Sequence, residues 1–298
     1  MALRAPLPYF GGKSRIADVV WRYLGDPIHY VEPFFGSGAV LLAREMNNIT
    51  ARAETVNDVD SHLVNFWRAV KKDPEGLKHY YNYPTLEVEL QARVKWIYTV
   101  RPSLSERLKE DVEYFDSEIA GWWVWAKSSA IANNADRDHT TSMPKITHFG
   151  GGVTSFTYDD EVINRLCKRL ERVRVLCGDW SRLINIMTNG RFETTGIFFD
   201  PPYVTSGILK NLYVSERTSL IEEMQDFCLE HGNNPRIRIA LAGYGGDYNL
   251  PGWTVHRWQS HGGYGVQYSK DGSHAKSNRD RETIWFSPHC VSYEEAAF

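Results

Sequence analysis

At 298 residues, with 42% hydrophobic and 24% charged residues, the chain has a globular composition and room for one elaborated domain or two small ones. A formal net charge of −3 excludes a uniformly basic nucleic-acid binder. The absence of any run of about eighteen apolar residues speaks against a membrane span.

The opening Met-Ala-Leu-Arg-Ala-Pro has no signal-type apolar region, so a cytoplasmic protein without membrane attachment is expected. Cys167, Cys177, Cys228 and Cys290 form no CxxC pair, and the histidines form no HExxH, so no metal is expected. Charge is locally basic at Arg165, Lys168, Arg169, Arg172 and Arg174, a segment that reads equally as a solvated helix face or a phosphate-facing one.

In chain order, His29 to Phe34 is an apolar, β-compatible run that breaks into Gly36-Ser37-Gly38 and then an Ala/Val/Leu run through Glu45. That order predicts strand, tight turn and helix. A second unit follows, with a short strand ending near Val56, Asn57 and Asp58 and a helix from about Asp60 to Lys71. From about residue 73 to 158 the character changes. This stretch carries charged helical patterns at Leu86 to Val100 and Leu104 to Phe115, the run Trp122-Trp123-Val124-Trp125, and a polar glycine-bearing segment from Asn133 to Gly152. It reads as a mainly helical insertion into an α/β domain made of residues 1–72 and 159–298. At least one of the three tryptophans must face a core at this helical spacing, and core packing is the preferred reading for all of them.

Strand-like runs resume at Val173 to Cys177, Gly196 to Phe199, Ile237 to Ala242, Thr254 to Trp258 and Thr283 to Phe286, with helices at about Asp159 to Arg172 and Ser215 to His231. Alternation of this kind predicts an α/β fold whose mostly parallel sheet is covered on both faces. Ligands in such sheets sit beyond the carboxyl ends of the strands.

Gly36 and Gly38 permit a sharp turn and close approach of a ligand to a helix N-terminus. Position 41 is Leu, so the third glycine of a dinucleotide fingerprint is missing. Asp58 lies twenty residues beyond Gly38, at a strand end where a carboxylate can accept hydrogen bonds from ribose hydroxyls. A nucleoside-containing cofactor is implied, and a dinucleotide is not. Upstream, Tyr9-Phe10-Gly11-Gly12-Lys13 is a second glycine turn, readable alone as the plain start of a helix.

The strand Gly196-Ile197-Phe198-Phe199 ends in Asp200-Pro201-Pro202-Tyr203. Consecutive prolines hold the backbone extended and remove two N–H donors, so the Asp200 carboxylate and the Pro201 carbonyl can both act as acceptors. Adenine N6 is a weak nucleophile because its lone pair is delocalised into the ring. Two acceptors gripping its hydrogens favour a pyramidal nitrogen, a task of positioning and electrostatics rather than strong base catalysis. Tyr203 can stack on a base drawn out of a duplex.

The chain resembles the Dam-like, D12 class DNA adenine-N6 methyltransferases in four stretches in the family's order: Pro8 to Ser14, Tyr30 to Gly38, Asn57 to Asp60, and Asp200 to Tyr203. The resemblance implies a Rossmann-like fold with a mixed seven-stranded sheet, Thr283 to Phe286 suiting the antiparallel last strand, and an inserted target-recognition region over 73–158. It implies S-adenosylmethionine as cofactor, held by Tyr9, Phe10, Gly11, Gly12, Lys13, Glu32, Pro33, Phe34, Phe35, Gly36, Ser37 and Gly38, with Asp58 on its ribose. Lys13 would lie near the cofactor or the target base. Asp179 and Trp180, after another strand, look like the pair that holds the cofactor's adenine, although Asp179 also reads as a helix N-cap. Asp200, Pro201, Pro202 and Tyr203 would be catalytic.

The partner so implied is double-stranded DNA, with no obligate protein partner. Arg137, Lys145 and His148 in the insert, Tyr213 beyond the catalytic loop, and Lys270, Lys276, Arg279 and Arg281 in a glycine-bearing loop are candidate DNA contacts. Base-reading residues cannot be mapped, because the insert around Trp122 to His148 lacks a matching pattern. Competing readings are a cytosine-N4 or RNA adenine methyltransferase, a nicotinamide-dependent oxidoreductase weakened by Leu41, and a DNA-binding protein without catalysis, opposed by the intact Asp200 and Tyr203. Adenine over cytosine rests on the resemblance and on Asp at position 200. Lack of a fused nuclease motif suggests a stand-alone enzyme, whether for restriction-modification or another role.

Overall fold

A computed structural model describes residue 3 and residues 13–44, 53–81, 83–84, 86–129, 160–202, 214–258 and 282–291. Strands β1 (His29–Glu32), β2 (Ala53–Asp58), β3 (Val173–Cys177), β4 (Thr195–Phe199), β5 (Ile237–Tyr244), β6 (Thr254–Arg257) and β7 (Glu282–Phe286) form one seven-stranded sheet in the order β3-β2-β1-β4-β5-β7-β6. β4 runs parallel to both β1 and β5, and β7 runs antiparallel to both β5 and β6. The protein is therefore an α/β fold with a mixed sheet. All five residues of β4 are buried, as in a strand covered on both faces, which is why its sequence reads as a continuous apolar run instead of an alternating one.

Strand order reverses beside β1, since the chain moves outward through β2 and β3 before returning to β4 on the other side. The carboxyl ends of β1 and β4 thus mark a topological switch point, where open α/β sheets bind ligands. Gly196 in β4 lies opposite Tyr30, and a Cβ there would stand 2.6 Å from the Pro27 ring, so only glycine allows this approach. Because β7 is antiparallel to β5, its first residue, Glu282, pairs with Tyr244 at the carboxyl end of β5.

The chain divides into two compact units. One contains Gly36–Ala43 and Val56–Trp180, with helices α2 (Ala39–Ala43), α3 (Ser61–Lys72), α4 (Pro74–Tyr81), α5 (Glu87–Glu110), α6 (Ser117–Ser129) and α7 (Asp160–Leu170). Helix α3 starts where the Asp60 carboxylate accepts the His62 N–H at 3.1 Å, and every residue from Ser61 to Val70 is buried. Its Arg68 side chain donates to the carbonyls of Val175, Asp111, Tyr114 and Leu108, at 2.8 to 3.2 Å, binding α3 to β3 and to the end of α5. Such buried carbonyls at a helix C-terminus need donors, and a guanidinium supplies several at once.

Helix α5 is one continuous helix through Pro102, where two helices are expected from the sequence. Leu90, Val94, Ile97, Leu104 and Leu108 bury a single face on both sides of the proline, and this packing outweighs a proline cost of about 3 kcal/mol. Trp122, Trp123 and Trp125 of α6 are all buried: Trp125 donates to the Tyr83 carbonyl at 2.7 Å, Trp123 stacks on His62, and the Arg93 guanidinium lies 4.0 Å from the Trp122 ring centroid. Within the basic segment, Arg169 is buried and donates to the Leu41 carbonyl at 2.9 Å, whereas Lys168, Arg172 and Arg174 are exposed.

The other unit contains Lys13–Phe35, Arg44–Thr55 and Ser181–Phe298, with α1 (Ala17–Leu24), α8 (Ile184–Thr188) and α9 (Val214–His231). Helix α1 packs on β4 and β5, and its Tyr23 stacks on Phe286 with ring centroids 3.9 Å apart. Arg44 is buried between Glu54 and Asp26, 3.0 Å from each, and also donates to the Pro27 carbonyl. Among the described residues, no helix is long and apolar enough to cross a membrane.

Candidate active site

In the first unit, β2 ends on Asp58 and the glycine turn folds against it. Gly36 and Gly38 have φ of +48° and +66°, a left-handed backbone that disfavours any residue with a Cβ. The Gly36 N–H donates to Asp58 Oδ2 at 2.9 Å, and the Asp60 N–H donates to Asp58 Oδ1 at 2.9 Å. On its carbonyl side, Gly36 accepts the indole N–H of Trp67 at 3.1 Å. Both hydrogen-bonding groups of one glycine are therefore fixed by neighbouring side chains.

Burial pushes the Asp58 carboxyl up to about 6, against the pull of the Asp60 and Gly36 N–H groups, which favour its charged form. A carboxylate has about four acceptor positions, so the two backbone bonds leave capacity for hydroxyl donors. Beyond β3, the Gly178 N–H donates to the Asp58 carbonyl and the Asn57 amide donates to the Gly178 carbonyl, each at 2.9 Å. This ties the segment bearing Asp179 and Trp180 to the end of β2. Asp179 is exposed and Trp180 is buried.

In the second unit, the apolar strand β4 delivers Asp200. Lys13 Nζ lies 3.1 Å from Asp200 Oδ1 and 3.7 Å from Glu282 Oε2. The lysine side chain is only 3% exposed, with Asp200 at 19% and Glu282 at 12%. Burial would push the Lys13 ammonium down, but the Asp200 and Glu282 carboxylates outweigh it and hold the group above its ordinary value. The charged form of Lys13 is thus favoured, with Asp200 as part of its counter-charge. Pro201 is buried and Pro202 exposed, and Phe199 packs on Phe227 behind the loop.

The other residues singled out from the sequence divide by position. Glu32 is buried at the end of β1 and accepts the Tyr30 hydroxyl at 2.9 Å, while Pro33, Phe35 and Ser37 are buried and Phe34 is partly exposed. Tyr9, Phe10, Gly11, Gly12, Arg137, Lys145, His148, Tyr203, Tyr213, Lys270, Lys276, Arg279 and Arg281 lie outside the described residues. Two residues at the site escaped sequence reasoning. Trp67 sits in an ordinary amphipathic helix, and Glu282 opens β7 with no motif around it, so neither carries a local signal.

The chain matches the D12 class N6 adenine-specific DNA methyltransferase family over residues 9–230. It is 22% identical over 214 residues to a type II methyltransferase of Methanocaldococcus jannaschii, covering 68% of this chain and 70% of that one. It is 28% identical over 208 residues to a DNA N-6-adenine-methyltransferase of Escherichia phage P1, covering 67% of this chain but only 24% of the phage protein. A DNA adenine methylase of Vibrio cholerae is 32% identical over 76 residues, 26% of each chain. The family uses a methyl donor and acts on DNA, in keeping with a glycine turn beside a buried carboxylate and an Asp-Pro-Pro segment at the end of an apolar strand. The chain belongs to the D12 class of N6 adenine-specific DNA methyltransferases.

Proposed function

We propose that this chain transfers a methyl group from S-adenosylmethionine to the exocyclic amine of an adenine drawn out of double-stranded DNA at a short specific site. The observation that carries this reading is the Lys13–Asp200 pair, 3.1 Å apart at the carboxyl end of β4. It gives the carboxylate of the Asp-Pro-Pro segment a close counter-charge in a site mostly withdrawn from water.

The residues fit a nucleoside-bearing donor. The glycine turn presents backbone without a Cβ, and Asp58 stands beside it with acceptor capacity for ribose hydroxyls. Tyr9 to Lys13, Glu32 to Gly38, Asp179 and Trp180 would complete the holding surface. When bound, S-adenosylmethionine supplies a methyl group on a cationic sulfur, which keeps the S–C bonding pair as the N–C bond forms. Asp200 accepts a hydrogen bond from N6, and the Pro201 carbonyl accepts the second. This grip localises the nitrogen lone pair along the line of attack. Asp200 then takes the proton that N6 loses and passes it to water. Tyr203 stacks on the extruded base.

We place the catalytic domain in residues 1–72 and 159–298, with 73–158 as target-recognition region. Arg137, Lys145, His148, Tyr213, Lys270, Lys276, Arg279 and Arg281 are the proposed DNA contacts. The test is to incubate the protein with methyl-labelled S-adenosylmethionine and unmethylated double-stranded DNA, then digest the DNA and identify the labelled nucleoside. N6-methyl-2′-deoxyadenosine from the DNA is the expected product. Label found only in N4-methylcytosine, or transferred only when RNA is offered, would refute the reading.

A further inference from the structure

Lys13 lies between two carboxylates that arrive from opposite directions of the chain. Asp200 follows β4, while Glu282 opens β7, whose antiparallel course returns its first residue to the end of the sheet where the parallel strands finish. A single lysine would suffice to neutralise Asp200. A neutral pair, however, is a weaker acceptor than a carboxylate with charge to spare, because the ammonium draws on the same electrons that should grip the amine. With Glu282 included, one ammonium is shared between two carboxylates.

The reaction makes this sharing useful. The methyl group arrives from a cationic sulfur, and positive charge grows on N6 until its proton leaves, so residual negative charge at Asp200 stabilises the transition state more than the ground state. We infer that Glu282 is a positioning residue for methyl transfer: its grip on Lys13 from the start of β7 shares the ammonium between two carboxylates and so preserves the strength of Asp200 as acceptor for the amine. Glu282 does not touch the substrate in this account. It acts through Lys13, which also fixes the orientation of Asp200 through Oδ1.

This inference rests on the adenine-N6 reading given above, and one set of measurements separates the two. Single-turnover methyl transfer, with enzyme in excess over unmethylated DNA and saturating S-adenosylmethionine, is compared for the wild type, Glu282→Gln, Glu282→Asp, Lys13→Gln and the double variant Lys13→Gln/Glu282→Gln. Glu282→Gln keeps size and hydrogen bonding but removes the charge. It should slow the chemical step on the order of tenfold while affinities for S-adenosylmethionine and DNA stay within about twofold.

Glu282→Asp should recover part of the rate, and it also carries the comparison if Glu282→Gln fails to fold. In the Lys13→Gln background, adding Glu282→Gln should change little, since the path through lysine is already cut. An unchanged rate in Glu282→Gln overturns the inference, as does the same fold-loss with and without Lys13. Failure of the wild type itself to form N6-methyl-2′-deoxyadenosine in the DNA overturns the reading beneath it, a result distinct from an active wild type with an equally active Glu282→Gln.

Discussion

The indole N–H of Trp67 donates to the carbonyl of Gly36 at 3.1 Å, on the far side of the residue whose N–H is held by Asp58. A glycine in the left-handed region is otherwise free to flip, and gripping it from both ends makes the turn rigid before any ligand arrives. Trp67→Phe preserves most of the buried ring and deletes the donor. Loss of about 1 kcal/mol is expected from the missing hydrogen bond, with cofactor affinity falling several-fold while the DNA affinity holds. Calorimetric titration with S-adenosylmethionine checks this, and unchanged affinity would show that the turn needs no such anchor.

Asp58 predicts a pH effect on cofactor binding. Burial holds its carboxyl at about 6, and the ribose hydroxyls proposed to sit on Asp58 would donate to the ionised form. A ligand that prefers the ionised form lowers the pKa in the complex, so affinity should be full above pH 6 and fall as pH drops through that value. Asp58→Asn should bind more weakly at neutral pH and lose this dependence. Affinities measured at several values between pH 5 and 8 decide the matter; a flat wild-type profile contradicts it.

Asp200→Asn keeps the shape of the loop but replaces a charged acceptor by a neutral one and removes the counter-charge of Lys13. Methyl transfer should slow by roughly a hundredfold or more, the scale seen when one preorganised polar group is removed from a transition-state site. DNA binding measured by mobility shift should persist. Wild-type turnover in Asp200→Asn would remove the carboxylate from the chemistry.

His62, stacked on Trp123 and 3.2 Å from the Ile97 carbonyl, is a test of the helical layer. Burial is the main cause of a histidine pKa lowered to about 4. Because the folded pKa lies below the ordinary value of about 6.5, the unfolded chain binds more protons in that window, and stability must fall as pH drops through it. The loss attributable to His62 reaches roughly 3 kcal/mol at the acid end. Denaturant unfolding of wild type and His62→Gln at pH 7 and pH 4.5 should show a smaller acid-dependent loss in the variant, and equal losses would assign the effect elsewhere.

The sequence by itself determined the strands and the motif segments at their ends. Apolar runs broken by Gly36-Ser37-Gly38, Asp58 and Asp200-Pro201-Pro202 are local signals, because strand propensity, turn glycines and proline stiffness are properties of neighbours in the chain. The four motif stretches sufficed for the family, and the order of strands and helices for a covered α/β sheet. Local patterning failed at α5, where Pro102 divides the sequence into two helical runs but a shared buried face keeps one helix.

Tertiary structure alone decided which distant groups meet. Arg169 reads as part of an exposed basic segment, yet it is buried on the Leu41 carbonyl. Trp67 carries no local signal, yet its indole holds the glycine turn. Glu282 has no motif at all, and reaches Lys13 only because β7 runs antiparallel to β5 and returns its first residue to the end of the sheet where the parallel strands finish. Strand direction and pairing are set by long-range packing, so no local pattern announces them. The sequence therefore singled out Asp200, the acceptor proposed for the amine, while the fold set the charges around it.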